Sequence, residues 1–273
     1  MGRIGRSFQL VGQSYRILMQ DKELMVLPLI SGAIMIVVVA MVAGGFALST
    51  GLDVSRVEEG GLVVYLPLFL MYVATYTIGI FFQAAVVAGA TERMRGGEPT
   101  VGSALAAAGR RLGPIVMWAI VAATVGVVIQ MIHDRVGFIG KIITRIAGAA
   151  WSLATFFIVP VLVLEDHSIG ESFTRSVGVF RKTWGETFAG GLSLGAAALC
   201  AWVTLVAVTG LLAYVVGVMA VAVFIVGAIF LMIFFSALQG IYVASLYRYA
   251  TEGLAPAGFD KALLDTAFVP KKS

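Results

Sequence analysis

Six long apolar runs with few charges dominate the chain and determine the solvent in which it can fold. They cover approximately residues 24–49, 61–90, 113–132, 142–164, 187–212 and 218–247. Each is long enough for an α-helix to cross a hydrocarbon core of about 30 Å, which takes roughly 20 residues. Their unbroken apolar character favours helices over the alternating strands of an outer-membrane barrel. We therefore predict an all-α membrane bundle with six transmembrane helices.

The composition excludes a soluble domain of this length. Apolar residues make up 60% of the 273 residues and charged residues only 12%, whereas about 25% of a soluble domain is charged. We interpret residues 1–250 as one membrane domain and residues 251–273 as a tail that contains a short amphipathic helix. The first apolar run is too long for the apolar part of a cleavable signal and is expected to remain as the first span.

The basic residues are divided unevenly between the two sides that six spans define. Fifteen Lys and Arg residues fall in the terminal segments and in the loops after the second and fourth runs. Four fall on the opposite side, namely Arg56, Arg135, Lys141 and Arg145. Because cytoplasmic loops carry the excess of Lys and Arg, both termini are predicted to be cytoplasmic. Nucleic acid is not an expected partner, since the cations are spread over four segments instead of forming one stripe.

The loop after the fourth run contains the signal for a helix start. Ser168 and Glu171 have the spacing of a capping box, which predicts that a helix begins near Ile169. Beyond the cap, apolar residues at helical spacing lie beside basic residues, a pattern typical of an amphipathic helix. The apolar stripe comprises Phe173, Val177, Phe180 and Trp184, and the neighbouring cations include Arg175, Arg181 and Lys182.

Similar stripes precede the first and third runs, and Arg110 and Arg111 close the basic end of the second stripe. Each of the three stripes begins a segment that consists of an amphipathic helix, a span, a short loop and a second span, which suggests a threefold pseudo-repeat. Basic amphipathic helices suit the boundary between acyl chains and anionic headgroups. Packing of the same stripes onto the bundle is the alternative, and the sequence does not separate the two.

Glu165, Asp166 and His167 form the strongest candidate for acid–base catalysis. The structural interpretation is stronger, because acids that follow an apolar run and precede a helix mark the exit from lipid, and we expect the three side chains to diverge. Two His residues and the single Cys200 do not supply a usual zinc site. Nucleophile-elbow, phosphate-loop and dinucleotide motifs are also lacking. The sequence therefore predicts a non-enzymatic protein with no cofactor.

Transport is the alternative function. Ion-coupled carriers keep charged residues at mid-membrane, and the spans predicted here lack them, which leaves an uncoupled carrier of a small apolar or zwitterionic solute. A cavity lined by Gln83, Gln130 or Gln239 would favour it. Small residues predict that the fifth and sixth spans touch. They are Gly191 and Gly195 in the fifth span and Ser236 and Gly240 in the sixth.

Two stretches carry a resemblance to a known family. The first begins with LED at 164–166 and continues with S-I-x-E-S-F, R-S, V-F and K-x-W-G-E, and the second is SFQLVGQSYRILMQDKELMVLPLISG near the N-terminus. The chain resembles an uncharacterised family of bacterial six-helix integral membrane proteins. Its layout is more distantly similar to membrane domains fused to some glycerophosphodiester phosphodiesterases. The resemblance implies a multi-pass protein of the bacterial cytoplasmic (inner) membrane and supplies no catalytic residues.

These observations favour a protein that organises the membrane. It would bind anionic lipid, or a membrane or cytoplasmic protein partner, through its basic amphipathic segments. The candidate contact residues are Phe173, Phe180, Arg181, Lys182, Trp184, Arg110 and Arg111.

Overall fold

A computed structural model describes residues 3–50 and 61–252, and every element in these ranges is helical. The helices are α1 (Arg3–Gln20), α2 (Val26–Thr50), α3 (Gly61–Met94), α4 (Val101–Gly109), α5 (Leu112–Arg135), α6 (Phe138–Ala154), α7 (Ile158–Leu164), α8 (Ile169–Val216) and α9 (Met219–Glu252). A short 3-10 helix, Lys22–Met25, lies between α1 and α2.

Six stretches of the described chain are long and apolar enough to cross a membrane. They are Lys22–Gly45, Leu66–Met94, Leu112–Arg135, Phe138–Leu164, Gly191–Val216 and Met219–Glu252. The prediction of an all-α, six-span protein is therefore confirmed, with bounds that shift by a few residues. The last two spans are joined at Gly217, whose φ of +59° is accessible to glycine without the steric penalty that a side chain meets there.

The sequence predicted one helix for the fourth span, at residues 142–164, but the structure has two. The span consists of α6 and α7, which are separated by a turn at residues 155–157. Pro160 explains the interruption, because its ring would clash with the carbonyl of Phe156 in a continuous helix. Within α7 the same proline occupies the first turn, where its missing N–H group needs no partner.

The amphipathic segment after the fourth span is not a separate helix either. It is the first part of α8, which runs through 48 residues without interruption, a length of about 72 Å at 1.5 Å per residue. The sequence contains no proline between Ile169 and Val216, so nothing in the backbone forces the helix to end before the fifth span begins.

The chain divides into two compact units. The first consists of Met1–Pro28, Val86–Ala104 and Gly178–Ser273, and the second of Leu29–Ala85 and Leu105–Val177. In the first unit, α1 lies against α9. Val11 and Leu18 of α1 are buried, and the ring of Tyr15 lies 6.1 Å from that of Phe234. In the second unit, α5 and α6 pack together as a hairpin.

The fifth and sixth spans meet through residues other than the predicted ones. A Cβ atom added to Gly227 would lie 2.5 Å from Leu205 Cδ1, so α8 and α9 approach closely at this point. Gly240 instead faces Val86 of α3, at 2.6 Å from the position of an added Cβ atom. Gly191 and Gly195 have nothing within 4 Å, because the buried face of α8 at this level carries Ser193 and Leu194. Ser236 is exposed on α9.

Candidate functional site

The start of α8 is fixed by Ser168 and Glu171. The backbone N–H of Ser168 donates to Glu171 Oε2 at 2.9 Å and its hydroxyl donates to the same oxygen at 2.8 Å, while the N–H of Glu171 lies 3.4 Å from Ser168 Oγ. These are the reciprocal hydrogen bonds of a capping box. The backbone hydrogen bond from Ser168, followed by the one from its hydroxyl, lowers the pKa of Glu171 below its ordinary value.

Glu165, at the end of the fourth span, is the centre of a charged cluster. Arg175 binds it through both Nε and Nη2, and the Nη2–Oε1 distance is 3.0 Å. His167 Nε2 lies 2.7 Å from Glu165 Oε2. The expectation that Glu165 and His167 diverge is therefore wrong, because the backbone is extended at Glu165 and extended backbone places side chains two residues apart on the same side. A bidentate guanidinium contact of this kind fixes the orientation of the carboxylate.

Asp166 points away from this cluster. Its carboxylate oxygen accepts a hydrogen bond from Arg111 Nη1 at 2.6 Å, and its side chain is 89% exposed. The pair connects the start of α5 to the segment that follows α7, but a pair this exposed to solvent contributes little to stability. The neighbouring Arg110 is exposed. Of the two adjacent arginines, Arg110 is the one that the second unit leaves available.

The contacts of the cluster join two helices. Glu165 is engaged by Arg175 and His167 together, so its lone pairs are already directed at protein donors. Among residues 3–50 and 61–252, no three His, Cys, Asp or Glu side chains are grouped so that they could hold a metal ion. The cluster connects the end of α7 to the second turn of α8.

Phe173 lies in the packed part of the second unit. Its ring stacks on Trp151 with a centroid distance of 5.7 Å and lies 6.4 Å from Trp118, and the two tryptophans stack on each other at 5.7 Å. Stacked aromatic rings of this kind add to the free energy of burial. Phe173 therefore contributes to the bundle instead of lying free at the surface.

The buried face of α8 is offset from the stripe that the sequence predicted. Ser172, Ser176, Val179 and Thr183, which follow helical spacing, are 0%, 0%, 2% and 0% exposed. Small polar side chains line most of this face. The bulkier Phe173, Val177 and Phe180 are only half-buried beside it. Hydrophobicity alone pointed to the wrong face because small polar side chains can also be buried, as Ser176 and Thr183 are with their hydroxyls donating to backbone carbonyls.

Ser176 has a specific role that the sequence did not reveal. Its hydroxyl donates to the carbonyl of Ala154 at 2.7 Å and accepts from the N–H of Phe157 at 3.2 Å. These two backbone groups flank the turn that interrupts the fourth span. Each lies near the end of a helix, where backbone groups lack their usual partners. Ser176 thus satisfies both sides of the interruption with one hydroxyl.

The remaining candidates lie further along α8, in the first unit. Arg181 and Lys182 are exposed and Phe180 is half-buried. Trp184 belongs to the helix, but its side chain lies outside the described residues. Arg181 and Lys182 precede the fifth span, which begins at Gly191, by about 14 to 15 Å of helix.

The first unit has charged contacts of its own at the ends of the second and sixth spans. Arg93 Nε lies 2.9 Å from Asp21 Oδ2, although not along a hydrogen-bond direction, and burial raises the pKa of Asp21 against the opposing effect of Arg93. Glu252 accepts from Arg95 and from Arg248 at 3.1 and 2.7 Å. Asp21, just before the first span, and Glu252, at the end of the sixth, therefore have cationic partners, as Glu165 does.

Comparison with protein families gives a match that covers most of the described chain. The model of a family of unknown function (DUF6159) matches residues 62–258, which is more than half of the chain. The matched region contains the capping box, the Glu165 cluster and Ser176. Comparison with curated proteins and with solved structures finds no match. The chain therefore belongs to the family of unknown function (DUF6159), and its helices are those of a membrane protein.

Proposed function

We propose that this is a non-catalytic protein of the bacterial cytoplasmic membrane that organises the bilayer by binding anionic lipid headgroups. The binding residues are Arg110, Arg181 and Lys182, on the side that carries both termini, which the positive-inside rule assigns to the cytoplasm.

One observation carries this proposal. Arg110, Arg181 and Lys182 are exposed and make no ion pair in the part of the chain that the structure describes. Their neighbours Arg111 and Arg175 are already paired with carboxylates. Cations that are free of protein partners and close to the end of a span can reach headgroups, and each contributes about 1 kcal/mol near an anionic surface.

Phe180 supplies the apolar part of the contact. It is half-buried and lies next to Arg181, so the segment offers both an aromatic ring and a cation to the interface. Phe173 is excluded from the contact by its stacking on Trp151. An acidic surface of a partner protein would engage the same cations, but the nearness of the fifth span favours lipid.

Native mass spectrometry of the full-length protein tests the proposal. The purified protein is titrated with phosphatidylglycerol and, separately, with phosphatidylcholine. We expect a preference for phosphatidylglycerol that falls about 25-fold in Arg181→Gln/Lys182→Gln, because two cations that contribute about 1 kcal/mol each are lost. Lys141→Gln/Arg145→Gln is the matched control, since it removes two exposed cations near the start of α6, on the side expected to lie opposite the termini. Equal losses in both variants would show that only net charge matters and would refute the proposal.

The interrupted fourth span favours a second function, that of an uncoupled carrier. Non-helical backbone within a membrane is tolerated where it is buried in protein or lines a cavity, and broken helices form the substrate sites of many carriers. Here Ser176 satisfies the backbone groups at the interruption. Gln130, one of the residues expected to line a solute cavity, donates a hydrogen bond to Asp134 at 2.9 Å. Proteoliposome swelling in zwitterionic solutes tests this function. Rates equal to those of protein-free vesicles would eliminate it.

A further inference from the structure

The far end of the α5–α6 hairpin contains a groove that the proposed function does not use. It has a volume of about 320 Å³ and is lined by Val128, Met131, Ile132, Arg135 and Val136. All five residues belong to the second unit. The groove is at the opposite end of α5 from Arg110 and Arg111. We propose that it binds one anionic phospholipid of the leaflet opposite the termini, with the lipid phosphate at Arg135 and an acyl chain along the apolar lining.

The polar groups around the groove leave one cation available for the phosphate. Arg135 is exposed, and no ion pair involves it within the described ranges. The adjacent carboxylate of Asp134 accepts from Gln130 Nε2 at 2.9 Å. His133 Nδ1 lies 2.7 Å from Thr144 Oγ1, which holds the imidazole against α6. The guanidinium therefore has its donors free, and a phosphate oxygen is the acceptor that suits them best.

The apolar lining indicates a lipid instead of free phosphate. Val128, Met131 and Ile132 are 48%, 51% and 48% exposed, and they form the floor beside a single cation. Free phosphate would gain nothing from this floor and would need more donors, whereas a phospholipid satisfies the cation and covers the apolar surface together. Phe138 and Ile139, just beyond the turn, are 81% and 73% exposed, which extends the apolar surface available to acyl chains.

Photochemical crosslinking tests the site in the full-length protein. The protein is reconstituted in nanodiscs that contain phosphatidylglycerol with a diazirine in one acyl chain, and crosslinked peptides are mapped by mass spectrometry. We expect the label to concentrate on residues 128–136. Arg135→Gln should lower this label about fivefold, the factor associated with one cation at an anionic surface. The same experiment with diazirine-labelled phosphatidylcholine should give less label at these residues.

A second variant covers the case in which Arg135→Gln fails to fold. Ile132→Trp fills the groove from an exposed position and keeps the guanidinium, and it should also lower the label. Arg181→Gln/Lys182→Gln should leave the label unchanged, so failure of the proposed function and failure of this site are distinguishable. Label spread evenly over the exposed apolar residues of α5 and α6, or label unchanged in a folded Arg135→Gln or Ile132→Trp variant, would overturn the proposal.

Discussion

Removal of the Ser176 hydroxyl is the sharpest test of how the interrupted fourth span is held. Ser176→Ala deletes one group that serves two backbone partners, the carbonyl of Ala154 and the N–H of Phe157. The serine is 0% exposed and Phe157 is 0% exposed, so water cannot replace the lost hydroxyl. We therefore expect a loss of stability with little change in the fold.

The magnitude follows from the two groups that lose a partner. An unsatisfied buried donor or acceptor costs about 1–3 kcal/mol in a soluble protein, and hydrogen bonds between membrane helices average about 0.6 kcal/mol with a maximum near 1.7. If each of the two groups costs what a hydrogen bond between membrane helices contributes, the total loss of stability is about 1–3 kcal/mol. At the middle of this range, the ratio of unfolded to folded protein rises more than tenfold.

Ser172 provides a matched control one turn earlier on α8. It is also 0% exposed, but its hydroxyl has no hydrogen-bond partner among the described residues. Ser172→Ala removes the same atom without breaking a hydrogen bond and should be neutral or slightly stabilising. Reversible unfolding of the two variants in mixed micelles measures the difference. If Ser172→Ala lowers the free energy of unfolding as much as Ser176→Ala does, the role of the Ser176 hydrogen bonds in holding the interruption is refuted.

Three further predictions concern single positions. Glu165→Gln should cost about 1–3 kcal/mol in the same unfolding assay, because it weakens a partly buried charged contact. Asp166→Asn should change stability by less than about 0.5 kcal/mol, because that side chain is 89% exposed. Equal effects of the two substitutions would contradict the described pairing. The pKa of Glu171 is lowered on folding, so its capping contribution is present above the ordinary carboxyl range and disappears as the pH falls through the folded-state pKa; thermal unfolding should depend less on acid pH in Glu171→Gln, and an unchanged profile would refute this. Gly217→Ala should cost about 1 kcal/mol because φ is positive there, whereas Gly210→Ala, inside α8 with nothing within 4 Å, should be neutral or stabilising; the reverse order in unfolding would contradict the turn geometry.

The features that the sequence predicted correctly are local. The six spans follow from runs of about 20 apolar residues, and the start of α8 follows from two residues three positions apart. The features that it missed depend on distant contacts. Ser176 acts on groups 19 and 22 residues away, and its small polar side chain gives no signal of burial. Pro160 lies near the end of the fourth apolar run, and its consequence, two helices within one span, is seen only in the structure.

Helix contacts were the least predictable feature. Gly191 and Gly195 have the spacing of a packing motif, yet the structure leaves both open. The spacing of small residues indicates that another helix can approach closely, but which helix does so depends on the face that each helix turns inward. The threefold pseudo-repeat and the resemblance in layout to phosphodiesterase membrane domains stay predictions.

The side of the membrane on which the free cations lie is the claim on which the proposed function depends most directly. Impermeant thiol labelling of intact cells measures it with single-cysteine variants in a Cys200→Ala background, because Cys200 is exposed in α8. We predict that Lys182→Cys is labelled only after the cells are lysed, whereas Arg135→Cys is labelled in intact cells. Labelling of Lys182→Cys in intact cells, with protection of Arg135→Cys, would contradict the account.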